Sequence, residues 1–348
     1  MKTIGIKALE DFISKIFNKA GLSKEHSTIA AKALVYSDAK GVWSHGVART
    51  SVYCKRLDKG IANKKPNFKI KKIYSGVTSF DADNALGLIS ADYAIKTTIQ
   101  NAKENGIAIT GVFNSNHFGR AALYLEQATK ENCLAWIFTN ASKALPPHGA
   151  MAAHFGTSPF AFGCPTKNVD KPFLLDMASS SVARGKLKYA AQRGEKIPFG
   201  LALDKDGKPT DDGFKAFEGI MLPFGGMKGA GISWMMDIVA GIFTGAAHSG
   251  NVKNAIKDFS GPANVGHTMI VVKADLFQDI DSFLNKMETG IETAKKLKLA
   301  DGFDEILHPG EPEYKKYKKN LKSGIQLSDD VIDDLKKLCN QYSLDFSI

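Results

Sequence analysis

The chain has 348 residues, 44% hydrophobic and 24% charged, proportions that exclude a disordered, collagen-like or low-complexity protein. Its length exceeds what one hydrophobic core usually fills and predicts two domains. Lys and Arg total 46 against 36 Asp and Glu, a formal charge of +10. The lysines are dispersed and no basic stripe alternates with aromatics, so the excess reads as a solubilising surface and no nucleic-acid partner is expected. Only five of the basic residues are arginine (Arg49, Arg56, Arg120, Arg184 and Arg193), which makes each worth a separate look.

In chain order, Phe12, Ile13, Ile16 and Phe17 recur at helical spacing and Gly21 closes a first helix. Ser23 is the N-cap of a second, running to Gly41. A third is predicted from about Val47 to Lys59, ended by Gly60. Asn63 to Asn67 is a breaker around Pro66, and Phe68 to Tyr74 alternates like a strand with one wet face. A helix over Ile89–Asn105, capped by Gly106, leads to the apolar strand Ile107–Phe113. Further strands are read at Leu134–Phe138, Phe173–Leu175 and Met269–Val272. Between Asn132 and Thr166 the only charged residue is Lys143, so this stretch is expected to be mostly buried or to face a ligand. Gly231–Ala247 is weakly charged but short for a bilayer. It is predicted to be a buried helix, and no membrane span is expected. Ile280–Leu297 and Asp329–Tyr342 are helical, and the lysine-rich run Glu313–Lys322 is a solvated face. Cys54, Cys133, Cys164 and Cys339 form no C-x-x-C pair, and the N-terminus meets Glu10 and Asp11 before any apolar run. Free thiols and a cytoplasmic location are therefore expected.

Several common site patterns are missing: G-x-G-x-x-G, the phosphate loop G-x-x-x-x-G-K-[ST], H-E-x-x-H and G-x-S-x-G. The eight histidines show no metal-ligand spacing, and no metal is expected. Two of them stand in polar, glycine-flanked contexts. In Ser44-His45-Gly46-Val47-Ala48-Arg49, a helix starting near His45 would put His45 and Arg49 on one face, with Tyr53 one turn on. An imidazole beside a guanidinium suits an anionic substrate, because arginine forks onto a carboxylate and histidine handles a proton. Asn114-Ser115-Asn116-His117-Phe118-Gly119 directly follows a strand, where sites gather in α/β folds. The blander alternative for either is a capping or core histidine bonded to backbone. Three glycine-bearing turns offer backbone amides to phosphates: Gly156–Pro159, Phe224–Gly231 with Lys228 at a helix start, and Pro309-Gly310-Glu311, whose carboxylate would accept from ribose hydroxyls. For any single one, a tight turn without a ligand is the simpler reading.

Taken together and in order, these segments resemble the type 2 malate/L-lactate dehydrogenase family of NAD(P)-dependent oxidoreductases. The matching stretches include Ser44-His45-Gly46 with Arg49, Asn114 to Gly119, Phe155 to Pro159, Leu175-Asp176-Met177-Ala178-Ser179, Arg184-Gly185-Lys186, Ile197 to Gly200, Asp206 to Asp211, Leu222 to Gly229, Gly266-His267 and Pro309-Gly310-Glu311. The resemblance implies an α/β fold without the Rossmann arrangement. A helical domain comes from both chain ends (1–75 with 290–348), and a nucleotide-binding domain (76–289) surrounds a largely antiparallel mixed sheet. It further implies a homodimer, NAD or NADP as cofactor, and hydride transfer to or from a small 2-oxo/2-hydroxy acid. A cyclic imine acid is the alternative substrate, and a nucleotide-binding homologue without turnover a further one. Carried over by position, His117 is the acid/base with His45 as second choice. Arg49 and Tyr53 contact the substrate, and so does Asn140 within Thr139-Asn140-Ala141. Ser158, Asp176, Met177, Ala178, Ser179, Lys228, Gly229, Pro309, Gly310 and Glu311 contact the cofactor. Where the family usually has Gly-Thr-Asn-Pro, this chain has Gly156-Thr157-Ser158-Pro159.

Overall fold

The structure is a computed structural model that describes residues 2–348. Both chain ends build one helical core. Strand β1 (Lys2–Ile4) precedes α1 (Ile6–Lys19), α2 (Lys24–Ala39) and, after two 3-10 turns at Trp43–His45 and Val47–Arg49, α3 (Thr50–Asp58). Leu9, Phe12, Ile13, Ile16 and Phe17 of α1 share one stripe and are fully or almost fully buried. Each such side chain contributes roughly 1.5–3 kcal/mol of transfer free energy. Ser23 caps α2, its side chain accepting from the His26 N–H at 3.1 Å.

The middle of the chain supplies β2 (Lys69–Tyr74), β3 (Val77–Asp81), α4 (Gly87–Asn105), β4 (Ile107–Ser115), α5 (Ala121–Lys130), β5 (Cys133–Thr139), β6 (Phe160–Cys164) and β7 (Phe173–Met177). Then come α6 (Arg184–Arg193), β8 (Ala202–Leu203), α7 (Gly213–Glu218), β9 (Ile220–Met221), α8 (Met227–Met236) with a π-helical continuation Asp237–Ile242, and β10 (Val265–Lys273). The C-terminal part holds α9 (Ile280–Lys295), α10 (Glu311–Ser323), β11 (Ile325–Leu327) and α11 (Asp329–Gln341). Strand β11 pairs antiparallel with β1, and Ile325, Leu327, Ile332, Leu335 and Leu338 join the core of α1, α2 and α3.

Seven strands form the central sheet in the order β2-β3-β4-β10-β5-β6-β7. Every pair is antiparallel except β3 and β4, which are parallel and joined by α4. Alternation along the strands explains the layers. Ala135, Ile137, Met269 and Val271 point to α4 and α5, whereas Trp136, Phe138 and Ile270 point to α8 and its continuation. A smaller cluster of Leu145, Leu187, Ala202, Ala216 and Met221 packs under α6 and α7.

Three expectations need correction. The third helix starts at Thr50, so His45 and Arg49 lie on successive 3-10 turns rather than on one helical face. Strand β2 is exposed on both faces, because it is the outer strand and nothing packs over it. The apolar stretch 231–247 is only half covered. Met236, Ala240 and Gly241 are buried, while Ile238, Ile242 and Phe243 remain exposed beside Trp234, whose ring packs on Phe155 at 5.2 Å yet stays more than half exposed.

Candidate active site

The helical core meets the sheet at two histidines. The strand β4 ends at Ser115 and delivers His117, and the loop before α3 delivers His45. The two rings stack with centroids 5.6 Å apart and planes 23° from parallel. Tyr53, one turn into α3, places its hydroxyl 2.7 Å from His117 Nδ1. The Gly119 N–H also points at Nδ1, at 3.3 Å. A backbone N–H only donates, so Nδ1 is an acceptor and the neutral ring carries its proton on Nε2. Arg49 donates from Nε to Ser44 O at 2.5 Å, and among the described residues no carboxylate pairs with its guanidinium.

Both imidazoles are held neutral. Enclosure by protein, then the charges of Arg49 and Arg120, pull His45 down to about 4. Enclosure, Arg49 and the neighbouring rings hold His117 well below the usual histidine range. Burial pushes the Tyr53 hydroxyl up to about 12, so it stays protonated. The site at rest is therefore an unpaired guanidinium beside two uncharged rings, which attracts an anion.

A second group of residues adjoins the first through Arg120, which follows His117 by three positions. Its Nε lies 3.3 Å from Asp176 Oδ2 and its Nη2 lies 3.0 Å from Glu313 Oε1. Asp176 also accepts from the Ala122 N–H at the start of α5, at 2.9 Å. From there a belt of backbone bonds runs outward. Leu174 N donates to Pro309 O at 3.0 Å, Ser179 N to Thr157 O at 2.8 Å, and Phe224 N to Ser179 O at 3.0 Å. The Ser233 hydroxyl reaches the Ser179 hydroxyl at 2.8 Å. Ser158 sits in this belt fully buried, with φ +22° and no partner for its hydroxyl.

The sequence profile of malate/L-lactate dehydrogenases matches residues 4–336. The chain belongs to the malate/L-lactate dehydrogenase family. A malate/(S)-sulfolactate dehydrogenase of Methanothermus fervidus is 35% identical, over 96% of both chains. A ureidoglycolate dehydrogenase (NAD(+)) of Escherichia coli K12 is 30% identical, over 94% of this chain and 93% of that one. The solved sulfolactate dehydrogenase from Methanocaldococcus jannaschii superposes with a TM-score of 0.94 at 33% identity, covering 99% of this chain and 98% of the other. The protein is thus a dehydrogenase of this family, and its fold matches that of the solved sulfolactate dehydrogenase.

Within this family member, the residues singled out from the sequence fall into two sets. His45, Arg49, Tyr53 and His117 converge. Ser158, Asp176, Ser179, Gly229, Pro309 and Gly310 lie along the belt, with Met177 partly exposed and Ala178 exposed between them. Three placements differ from the simple reading. The Lys228 and Gly229 amides are spent inside their own turn, on Gly225 O at 3.3 Å and Phe224 O at 3.0 Å, so this helix start offers few free N–H groups. The buried Glu311 accepts from Lys171 at 2.6 Å and Lys295 at 2.5 Å. Burial pushes its carboxyl up, but the two lysines outweigh that and bring it to about 2. Asn140, 2% exposed, gives Nδ2 to Ala247 O at 2.6 Å and accepts the Gly266 N–H at 3.0 Å, engaging its amide in the scaffold.

Arg120 and His267 carry structural tasks that the sequence did not assign. The scarcity of arginine was the available signal for the first. His267, in β10, is fully buried, bonds Thr139 Oγ1 and Ser115 Oγ at 2.8 Å each, and stacks on Phe118 at 4.8 Å. Burial pulls it down to about 3. A histidine inside an apolar strand, flanked by Val265 and Met269, was its signal.

Proposed function

We propose that the protein catalyses reversible hydride transfer between the nicotinamide of NAD or NADP and C2 of a small 2-oxo/2-hydroxy acid. The observation that carries this reading is the Arg49 guanidinium, without a carboxylate partner, beside two stacked neutral imidazoles. The dinucleotide fits the belt on one structural ground. Ser158 Oγ and Arg120 Nη1 are buried polar atoms without protein partners, and such atoms are normally satisfied by something. Ser158, Asp176 to Ser179, Lys228 with Gly229, and Pro309 with Gly310 would hold it, at the β6–β7 side of the sheet rather than at the β3–α4–β4 crossover. When bound, the cofactor supplies the hydride chemistry.

The chain's own residues then do three things. Arg49 holds the substrate carboxylate with its Nη groups and fixes which carbonyl face is presented. Burial is the main reason that His117 is neutral and the Arg49 charge adds to it; binding the carboxylate offsets that second contribution, so the ring's proton affinity rises as the substrate arrives. For reduction the ring first takes up a solvent proton on Nδ1, Nε2 of the imidazolium then protonates the carbonyl oxygen, and the Nδ1–H ring left behind takes the proton back at its free Nε2 during oxidation, a task worth roughly 10²–10⁴-fold. The Tyr53 hydroxyl reverses from donor to acceptor when the ring gains its second proton, and so keeps its orientation.

The chain ends, 1–75 with 290–348, are read as one domain and 76–289 as the other. A homodimer is supported by two apolar faces: the exposed stripe on α8 and its continuation, and α9, an amphipathic helix that buries none of its residues within the chain. Four buried free cysteines suit a reducing cytoplasm. Among the described residues no helix is long and apolar enough to cross a membrane.

The test is oxidation of NADH and NADPH with pyruvate, oxaloacetate and piperideine-2-carboxylate side by side. Arg49→Ala is expected to raise KM for the preferred acid about 10–100-fold, as loss of a charge-assisted pair does, with kcat changing less. Tight nucleotide binding without oxidation by any of these acids overturns the reading.

A further inference from the structure

The loop that carries His45 and Arg49 has no regular structure of its own beyond two 3-10 turns, yet it fixes both side chains. A side chain outside the reacting groups holds it. Asp38, in the last turn of α2, is 2% exposed. Its Oδ2 accepts the Val47 N–H at 2.7 Å. The contact is so close that a Cβ on Gly46 would lie 1.9–2.3 Å from the carboxyl atoms. Only glycine passes there. The α2 end is itself anchored, since Asn320 of α10 donates to Asp38 O at 3.4 Å and Ala39 O at 3.0 Å.

We propose that Asp38 is a positioning residue for the reaction, gripping the Ser44–Arg49 loop through the Val47 amide so that His45 and Arg49 face His117. This rests on the reading of Arg49 as the carboxylate clamp. No charge nearby neutralises the carboxyl. Lys40, just past the end of α2, turns to Glu126 at 3.1 Å, between the Tyr36 and Tyr317 rings. On α10 the facing group is Asn320. On α4, Asp92 is closed off by Lys96 and Gln127. On α1, Lys7 and Asp11 pair on the exposed side. From the loop, Arg49 commits its Nε to Ser44 O, and His45 is neutral. The carboxyl also sits at the negative end of the α2 dipole, which disfavours its charged form. Burial, opposed by the Val47 N–H, pushes it up to about 7. Asp38 therefore changes charge in the neutral range, where neither His45 nor His117 does. Its ionised form is the stronger acceptor and holds the loop more firmly.

The experiment compares full-length wild type, Asp38→Asn and Asp38→Ala. Asn keeps the shape and a neutral acceptor; Ala removes both. KM and kcat for pyruvate and oxaloacetate are measured from pH 6 to 8.5, together with trypsin cleavage after Arg49, followed by mass spectrometry. In wild type, KM should fall several-fold as pH rises through about 7, while in Asp38→Asn it should stay flat near the wild-type pH 6 value. Asp38→Ala should raise KM at least tenfold with kcat within threefold, and should be cut at Arg49 at least tenfold faster. An inflection that persists in Asp38→Asn, or an Ala variant with wild-type KM and cutting rate, overturns the proposal. If the wild type turns over neither acid, the functional reading fails separately, and the cutting rates still judge Asp38. If Asp38→Ala does not fold, the Asn pH profile decides.

Discussion

The imidazole pocket and the glycine-turn belt are built by opposite means. In the pocket, side chains from distant segments hold each other: Tyr53 on His117, Asp38 on the Val47 amide, His267 between Thr139 and Ser115. In the belt, backbone carries the contacts, and the special residues are those that let backbones approach. A Cβ on Gly229 would lie 2.3 Å from Phe224 O, and one on Gly310 would lie 3.1 Å from Leu174 at φ +91°. Chemistry that moves a proton needs oriented titratable groups, whereas holding a long cofactor needs shape. The difference teaches which substitutions should damage turnover and which should damage binding.

Four measurements bear on that contrast. The largest effect belongs to the pocket: His117→Gln should lower kcat about 10²–10⁴-fold, with little change in the dissociation constant of NADH measured by fluorescence. A wild-type kcat would break the division. Next is acid lability. His45, His117 and His267 all titrate lower in the fold than the ordinary value of 6.5, so the unfolded chain binds protons that the native pocket refuses. Stability from this source is complete above pH 6.5 and is lost as pH falls toward 4, with a slope of at most roughly 4 kcal/mol per pH unit for three protons. Denaturant titrations at pH 7, 6 and 5 would show it, and a flat profile would mean that the rings are less enclosed than their positions indicate.

In the belt, Gly229→Ala must displace the Phe224 turn and is expected to weaken NADH binding about tenfold, leaving the kcat of the saturated enzyme nearly intact. A loss confined to kcat would erase the distinction. The smallest effect concerns Ser158, which holds φ +22° without a bonded hydroxyl. Asparagine tolerates positive φ better, so Ser158→Asn should add up to about 1 kcal/mol of stability, read as a small rise in Tm. A fall in Tm would show that the pocket around residue 158 is fitted to serine.

Regular elements were legible where local pattern and burial agree. The α1 stripe, the Ser23 cap, Gly106 after α4 and five of the seven central strands follow from spacing and turn chemistry, whereas β3 and β6 were not read. The short strands β1, β8, β9 and β11 were not legible, because three residues or fewer give no period to read, and for β1 and β11 pairing partners more than 300 positions apart leave no local trace. His45, Arg49 and His117 were recognisable as residue types in suggestive settings. Their convergence was not, since it depends on β4 ending beside the loop that Asp38 grips. The opposite failure is instructive too. The 3-10 turn Val47–Arg49 takes the place of the first turn of the helix expected from about Val47, with the Arg49 N–H donating to Gly46 O at 3.0 Å and the α-helix beginning only at Thr50. Likewise, the stripe on α8 follows a pattern that says "cover me" without saying whether the cover is the same chain.

The pairing of β1 with β11, and the contact of Phe12 with Phe346 at 5.5 Å, has a consequence for how the molecule is made. Leu9, Phe12 and Ile16 are synthesised more than 300 residues before their packing partners Ile325, Leu327 and Phe346. Until those partners emerge the opening helices lack part of their cover, although the sheet behind them is complete once β10 has been made at Lys273. Such a chain is prone to wrong partners before completion rather than after it, and trimming the tail should cost yield of folded enzyme before it costs any catalytic step.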